Sequence, residues 1–150
     1  MTHVVVPSAL VVAGVNLIAA LVGGERWWRV RDPGAFWPLL RLAQTCAVLF
    51  AALCGVLALT GHRPDSGLFW LYALLPIAVG VVGEQLRLAS AQTVLDARGV
   101  HDTATMATLP ESEQHSIVVA IVRREMGVMA LAALVVALLA LRAATTAAGL

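Results

Sequence analysis

The sequence contains few charged residues and no lysine. Charged side chains make up 13% of its 150 residues, against roughly 25% in an average soluble domain. Hydrophobic residues make up 60% and the mean hydropathy is +0.87, which is more apolar surface than a soluble chain of this length could bury. The scarcity of charge therefore excludes an ordinary soluble domain. All ten basic residues are arginine, which indicates the codon usage of a G+C-rich bacterial genome.

The sequence also lacks the motifs of most enzymes. It has no glycine-rich phosphate loop, nucleophile elbow or zincin motif. Cys46 and Cys54 are about 12 Å apart along a helix axis, too far for a disulfide, and no C-x-x-C pair offers redox chemistry. Ten basic and nine acidic residues leave no basic surface for nucleic acid. We therefore expect no nucleic-acid partner, no catalytic residue, no cofactor and no metal site.

Four apolar stretches are long enough to cross a bilayer core, which takes about 20 residues. The predicted spans are 4–22, 36–59, 68–88 and 117–141. The first has neither the basic start nor the cleavage site of a signal peptide, so we expect it to remain in the membrane. No internal repeat and no low-complexity linker divides the chain. The sequence therefore predicts an all-α polytopic membrane protein, a four-transmembrane-helix bundle with residues 1–150 in a single integral membrane domain.

The arginines predict the orientation. Eight lie in or beside the first and third connections, at positions 26, 29, 31, 41, 87, 98, 123 and 124, and the other two at positions 63 and 142. By the positive-inside rule, the first and third connections face the cytoplasm and both termini are extracytoplasmic. We expect the protein in the cell (inner) membrane. Interfacial aromatic residues agree with this orientation: Trp27, Trp28, Phe36 and Trp37 inside, and Phe69, Trp70 and Tyr72 outside.

The third and fourth membrane helices are predicted to extend into the cytoplasm. The helical pattern after residue 88 continues to Gly99, a favourable residue just past a helix end. Thr108 and Glu111 have the spacing of a capping box, and Pro110 fits the first turn of the next helix. We therefore expect a cytoplasmic helical hairpin over residues 89–116, with a mobile loop at its tip over residues 99–108.

Small residues predict which faces of the helices pack together, because close helix approach in lipid depends on glycine and alanine. These residues are Ala43, Ala47, Ala51 and Gly55 in the second span, Ala73, Gly80 and Gly83 in the third, and Gly127, Ala130, Ala133, Ala137 and Ala140 in the fourth. Pro76 is expected to kink the third helix. Asn16 is expected to form an interhelical hydrogen bond.

Charged residues on three helices are predicted to lie at one depth. At 1.5 Å per residue, Arg41, Glu84 and Arg124 are roughly 24 to 27 Å from the outer ends of their spans. Helical spacing from the small residues selects a candidate inner-leaflet polar cluster of Arg41, Gln44, Glu84, Arg87 and Arg123. An unpaired charge at this depth is costly. We therefore predict that Glu84 pairs with Arg123, while Gln44 or a lipid phosphate holds Arg87.

Two functions are compatible with these features. The cluster can be an ion-pair network that fixes the register of the helices, in a structural or accessory membrane protein acting through helix contacts. It can instead be the anion or lipid-headgroup site of a small transporter or lipid-binding protein, and an enzyme would require this cluster to be catalytic. The expected partners are membrane lipids and either a second copy of the chain or another membrane protein. We favour the accessory role.

Overall fold

A computed structural model describes residues 2–61 and 67–149. Within these ranges the chain forms helices and no strand: α1 (Thr2–Arg29), α2 (Phe36–Leu59), α3 (Gly67–Ala97), α4 (Thr103–Thr108) and α5 (Glu111–Ala148). Four of these helices, α1, α2, α3 and α5, are long and apolar enough to span a membrane. The predicted fold class, an all-α four-helix membrane bundle, is confirmed. Arg63, which contributes to the predicted orientation, lies outside the described residues.

Helix α5 is the centre of the bundle. It packs along α1 on one side and α3 on the other, while α2 packs mainly on α1 and touches α3 and α5 much less. We call the end of the bundle with the α1–α2 connection and α4 the hairpin end, and the opposite end the termini end. Phe50, Phe69 and Ala140 belong to the core at the termini end, and Phe36 and Met129 to the core at the hairpin end. Because α2 leans on α1, a gap separates it from α3.

Glycines permit the closest helix contacts. A Cβ atom on Gly23 of α1 would overlap the Phe36 ring and would lie 2.9 Å from Cβ of Ala130. A Cβ atom on Gly127 of α5 would lie 2.9 Å from Nε1 of Trp27. These contacts hold α1 against both α2 and α5 near the hairpin end.

The predicted small-residue faces are only partly correct. The alanines of α5 are buried as expected, and a Cβ atom on Gly83 of α3 would lie 3.2 Å from Cβ of Ala132 on α5. Gly55 and Gly80 do not pack against another helix, because a Cβ atom at either position would meet nothing within 4 Å. The predicted packing of these two glycines is therefore wrong.

The predicted end of α3 is correct. Gly99 has a φ of 67°, and its N–H donates to the carbonyl of Asp96 at 3.1 Å. The N–H of Val100 donates to the carbonyl of Leu95 at 3.0 Å, which completes a Schellman motif. Val100 is 4% exposed, so the motif anchors the start of the α3–α5 connection.

The tip of the hairpin differs from the prediction. Residues 103–108 form the short helix α4 instead of a loop, because the Asp102 carboxylate accepts a hydrogen bond from the N–H of Thr105 at 2.6 Å. The expected capping box is also wrong. The hydroxyl of Thr108 donates to the carbonyl of Thr105 inside α4, and the N-cap of α5 is Pro110, without a side-chain cap.

Candidate functional site

Glu84 of α3 bonds to α2. Its Oε1 atom accepts hydrogen bonds from Nη1 of Arg41 at 2.7 Å and from Nε2 of Gln44 at 3.2 Å. Nη1 of Arg41 also donates to Oε1 of Gln44 at 2.7 Å. One turn of α2 supplies both donors, so the three side chains form a closed triangle that joins α2 to α3 near the hairpin end.

Arg87 lies one turn further along α3 and joins the same group. Its Nε atom is 3.2 Å from Oε2 of Glu84. That Nε atom is buried without an aligned hydrogen-bond acceptor in the described structure, so its attraction to Glu84 is electrostatic. The guanidinium lies 5.2 Å from the centroid of the Trp37 ring on α2, a cation–π distance. We call Arg41, Gln44, Glu84 and Arg87 the Glu84 network.

Arg123 does not join this network. Its guanidinium lies 5.7 Å from the centroid of the Trp27 ring on α1, and among the described residues it forms no ion pair. The predicted Glu84–Arg123 pair is therefore wrong. Of the two predicted partners of Arg87, Gln44 does not contact it, and a lipid phosphate stays a prediction. Gly127, one turn from Arg123, leaves room for the Trp27 indole, which draws the arginine to the α1 side of α5.

The gap between α2 and α3 is a cleft of about 320 Å³, which we call the α2–α3 cleft. The polar residues that line it are Asn16, Arg41, Gln44, Glu84 and Gln85. Its apolar walls include Ala47, Val48, Pro76, Ile77, Gly80 and Val81. Val48, Ile77 and Val81 are 53%, 38% and 58% exposed, so the cleft is open at the side of the bundle. Gly80 leaves part of the α3 wall free of a side chain.

Asn16 of α1 forms part of this cleft and is 2% exposed. Its Nδ2 atom donates to the carbonyl of Val12 at 2.9 Å and to the carbonyl of Ala43 on α2 at 3.3 Å. The predicted interhelical hydrogen bond is therefore confirmed. No donor among the described residues reaches its Oδ1 atom, which leaves an acceptor available at the cleft.

The polar groups lie at one end of the cleft. Asn16 bonds to Ala43, which precedes Gln44 of the Glu84 network, so the two features are separated by only about 2 Å along α2. From Glu84 the wall of the cleft continues along α3 to Pro76, a distance of about 12 Å, without another charged residue. The α2–α3 cleft is therefore amphipathic, with its polar end toward the hairpin end.

A second groove runs between α3 and α5. It has a volume of about 350 Å³ and is lined by apolar side chains and glycine. Ala78, Gly83 and Ala132 supply its small residues. It carries no polar group that could orient a ligand, and it suits an apolar surface instead.

The described residues show neither a metal-binding cluster nor a disulfide. They contain no group of three or more histidine, cysteine, aspartate or glutamate side chains that could hold a metal ion. Cys46 and Cys54 are free thiols, and Cys54 is buried.

The sequence did not indicate Trp37 or Gln85 as part of the site. The aromatic pattern predicts Trp37 at the membrane–water interface. The sequence predicts Gln44 or a lipid phosphate, and not Trp37, as the partner of Arg87. Gln85 directly follows Glu84. Its position next to an acidic residue within a membrane helix is the sequence feature that indicates a place in the site.

No protein-family model, curated protein or solved structure matches this chain. The fold and the site define it as a multi-pass membrane protein with an amphipathic cleft between two of its spanning helices.

Proposed function

We propose that the protein binds an amphiphilic molecule of the inner leaflet in the α2–α3 cleft. The observation that carries the proposal is the cleft itself, which is open at the lipid-facing side and has apolar walls and one charged end. Ligand sites are typically apolar clefts of about 300 to 1,000 Å³ with a few convergent polar groups. Ionisable residues within membrane helices also mark functional sites by default. Both general rules favour binding over a purely structural role for the Glu84 network.

The orientation is part of this proposal. Eight of the ten arginines are at the hairpin end or in the hairpin, so the hairpin is cytoplasmic and both termini are extracytoplasmic in the inner membrane. In a chain without native cysteines, Ala104→Cys should be protected from a membrane-impermeant maleimide in intact cells, whereas Ala148→Cys should be labelled. The opposite pattern would reverse the orientation and place the charged end of the cleft in the outer leaflet.

Binding is favoured over transport, because the polar groups do not continue beyond Asn16. The part of the bundle toward the termini end is filled by an apolar core that includes Phe50, Phe69 and Ala140. A polar solute would therefore meet a dry barrier among the described residues, and an amphiphile needs only the one polar end.

Binding of a dansyl-labelled fatty acid to the purified full chain, measured by fluorescence in a non-ionic detergent, tests the proposal. Gly80→Leu should abolish saturable binding because its side chain would occupy open space along the α3 wall of the cleft. Gly55→Leu is the matched control, because Gly55 also has open space around it but does not line the cleft. Equal binding by all three proteins, or none by the native chain, would contradict the proposal.

The groove between α3 and α5 favours a second function, an accessory role through contact with a membrane partner or a second copy. Its small residues permit close approach of another helix. Ala78→Phe should then reduce oligomers or complexes trapped by crosslinking in membranes, while fatty-acid binding at the α2–α3 cleft should persist. An unchanged crosslinking pattern would remove this second candidate.

A further inference from the structure

We infer that the ligand of the α2–α3 cleft is an anionic lipid with one acyl chain and a free hydroxyl group next to its phosphate, the chemistry of a lysophospholipid. This inference rests on the proposed binding function and adds the class of ligand. Three features of the cleft carry it: the spare donors of Arg41, the unpartnered acceptor of Asn16, and the width of the cleft.

The charge at the polar end selects an anion. Oε1 of Glu84 accepts hydrogen bonds from Arg41 and Gln44, and Oε2 lies 3.2 Å from Nε of Arg87. Two arginines and one glutamate leave a net positive charge in the Glu84 network. Arg41 uses only Nη1 for its hydrogen bonds, so the N–H groups on Nη2 and Nε have no partner among the described residues.

Arg41 is also accessible, since its side chain is 54% exposed. A guanidinium with spare, forked donors fits a phosphate group better than a neutral or cationic head. The net positive charge of the Glu84 network would repel a cationic amine. The phosphate of the ligand therefore lies against Arg41.

Asn16 selects a hydroxyl group. Its Oδ1 atom accepts no hydrogen bond among the described residues, and Asn16 lines the cleft, so a hydroxyl group of a ligand can donate to it. Asn16 bonds to Ala43, two residues beyond Arg41 on α2, and the apolar wall of the cleft continues along α2 at Ala47 and Val48. In a lysophospholipid the free glycerol hydroxyl lies between the phosphate and the acyl chain, which is the order of Arg41, Asn16 and the apolar wall along the cleft.

The dimensions select one chain. The cleft holds about 320 Å³, at the lower limit of ligand sites, and it is bounded by α2 and α3, which the Glu84 network joins at the polar end. A second acyl chain would have to remain outside in the bilayer. The apolar wall from Glu84 to Pro76 accommodates the first part of a single chain.

Native mass spectrometry of the full chain in a non-ionic detergent tests the inference with defined probes. The probes are 1-oleoyl-glycerol 3-phosphate, its 2-deoxy analogue, 1-oleoyl-glycerol, dioleoyl phosphatidic acid and inorganic phosphate. The first should bind most tightly. The deoxy analogue should bind about 3- to 10-fold more weakly, the usual range for one hydrogen bond, and inorganic phosphate should not compete at equal concentration.

Two variants assign the selectivity to residues. Asn16→Leu should bind the hydroxyl and deoxy probes equally, and this ratio is measured within one protein, so it does not depend on the stability of the variant. Arg41→Gln should lose the preference for the phosphate over 1-oleoyl-glycerol, whereas Arg41→Lys should retain part of it.

The outcomes separate the inference from the proposed function. Equal binding of every single-chain probe would overturn the ligand class and leave amphiphile binding intact. Tighter binding of dioleoyl phosphatidic acid would overturn the single chain, and competition by inorganic phosphate would show that the site recognises the anion alone. Failure of all lipid probes to bind the native chain would refute both the inference and the function on which it rests.

Discussion

Glu84 is the residue on which the polar end of the cleft depends. It bonds to Arg41 and Gln44 on α2 and contacts Arg87 on its own helix. Because α2 and α3 touch little elsewhere, these side chains supply much of the connection between the two helices. Loss of the carboxylate would leave two arginines near one another without an acid between them.

Glu84 and Arg41 should be energetically coupled. In a double-mutant cycle with Glu84→Gln and Arg41→Gln, we expect a coupling of about 0.5 to 1 kcal/mol in the free energy of unfolding, kept small because Arg41 is partly exposed to solvent. The measurement is unfolding in mixed micelles. Arg123→Gln is the matched control: its effect should add to that of Glu84→Gln within about 0.5 kcal/mol. A larger coupling to Arg123 than to Arg41 would contradict the structure.

Single residues also explain which part of the site the sequence could predict. Counting residues along the spans predicts depth, because the rise of a helix is fixed at 1.5 Å per residue, and it placed Arg41 and Glu84 correctly at one level. It does not predict which neighbour a side chain faces. Arg123 is at a suitable depth but turns toward Trp27, because the indole occupies the space that Gly127 leaves.

Among the elements, α1 and α5 depend on close contact at individual glycines. Gly23 and Gly24 are adjacent on α1 and indistinguishable in the sequence, yet only Gly23 faces Phe36 and Ala130. Periodic small residues predicted the buried face of α5, since they repeat along a long helix. An isolated glycine pair has no such periodicity, so the tight contact of Gly23 was missed.

Gly23→Ala should destabilise the bundle, whereas Gly24→Ala should not. The new methyl group at position 23 would overlap the Phe36 ring, and overpacking of this kind costs about 1 to 3 kcal/mol. At position 24 nothing lies within 4 Å, so the helix preference of alanine gives a gain of up to about 1 kcal/mol. Thermal unfolding in detergent compares the two variants. Equal changes in midpoint would refute the contact.

The short helix α4 was not predicted because its N-cap, Asp102, lies only two residues after the Schellman motif that ends α3 at Gly99 and Val100. Gly99 and a polar sequence predict a loop, and only the hydrogen bond from Thr105 to Asp102 converts the tip into a helical turn. Hydrogen bonds from Thr105 hold the pKa of the Asp102 carboxyl below its usual range.

The cap should weaken only in acid. A lowered pKa means that the stabilisation is complete above the unfolded value of about 3.9 and is lost as the pH falls through the lower folded value. The NMR shift of the Thr105 amide should therefore titrate with a midpoint below about 3.9. Asp102→Asn should keep the turn without this titration, since asparagine also caps helices. A midpoint at or above the usual value would contradict the cap.

For the whole molecule, the decisive feature is the unequal packing of the four spanning helices. The sequence predicts four spans because apolar length is a local property, and α2 (Phe36–Leu59) has the predicted bounds. It does not predict that α5 is central and that α2 leans away from α3, because the small residues on both are compatible with contact. The cleft arises from this choice of neighbours, and Gly80, expected at a helix contact, instead lines it.

The central claim is that the α2–α3 cleft holds a lipid in the membrane. Native mass spectrometry of the chain released directly from producing membranes tests it without an added ligand. We expect one dominant lipid adduct on the native chain, its loss in Gly80→Leu, and its retention in Gly55→Leu. An adduct of equal abundance on all three proteins, or a native chain without any adduct, would contradict the account.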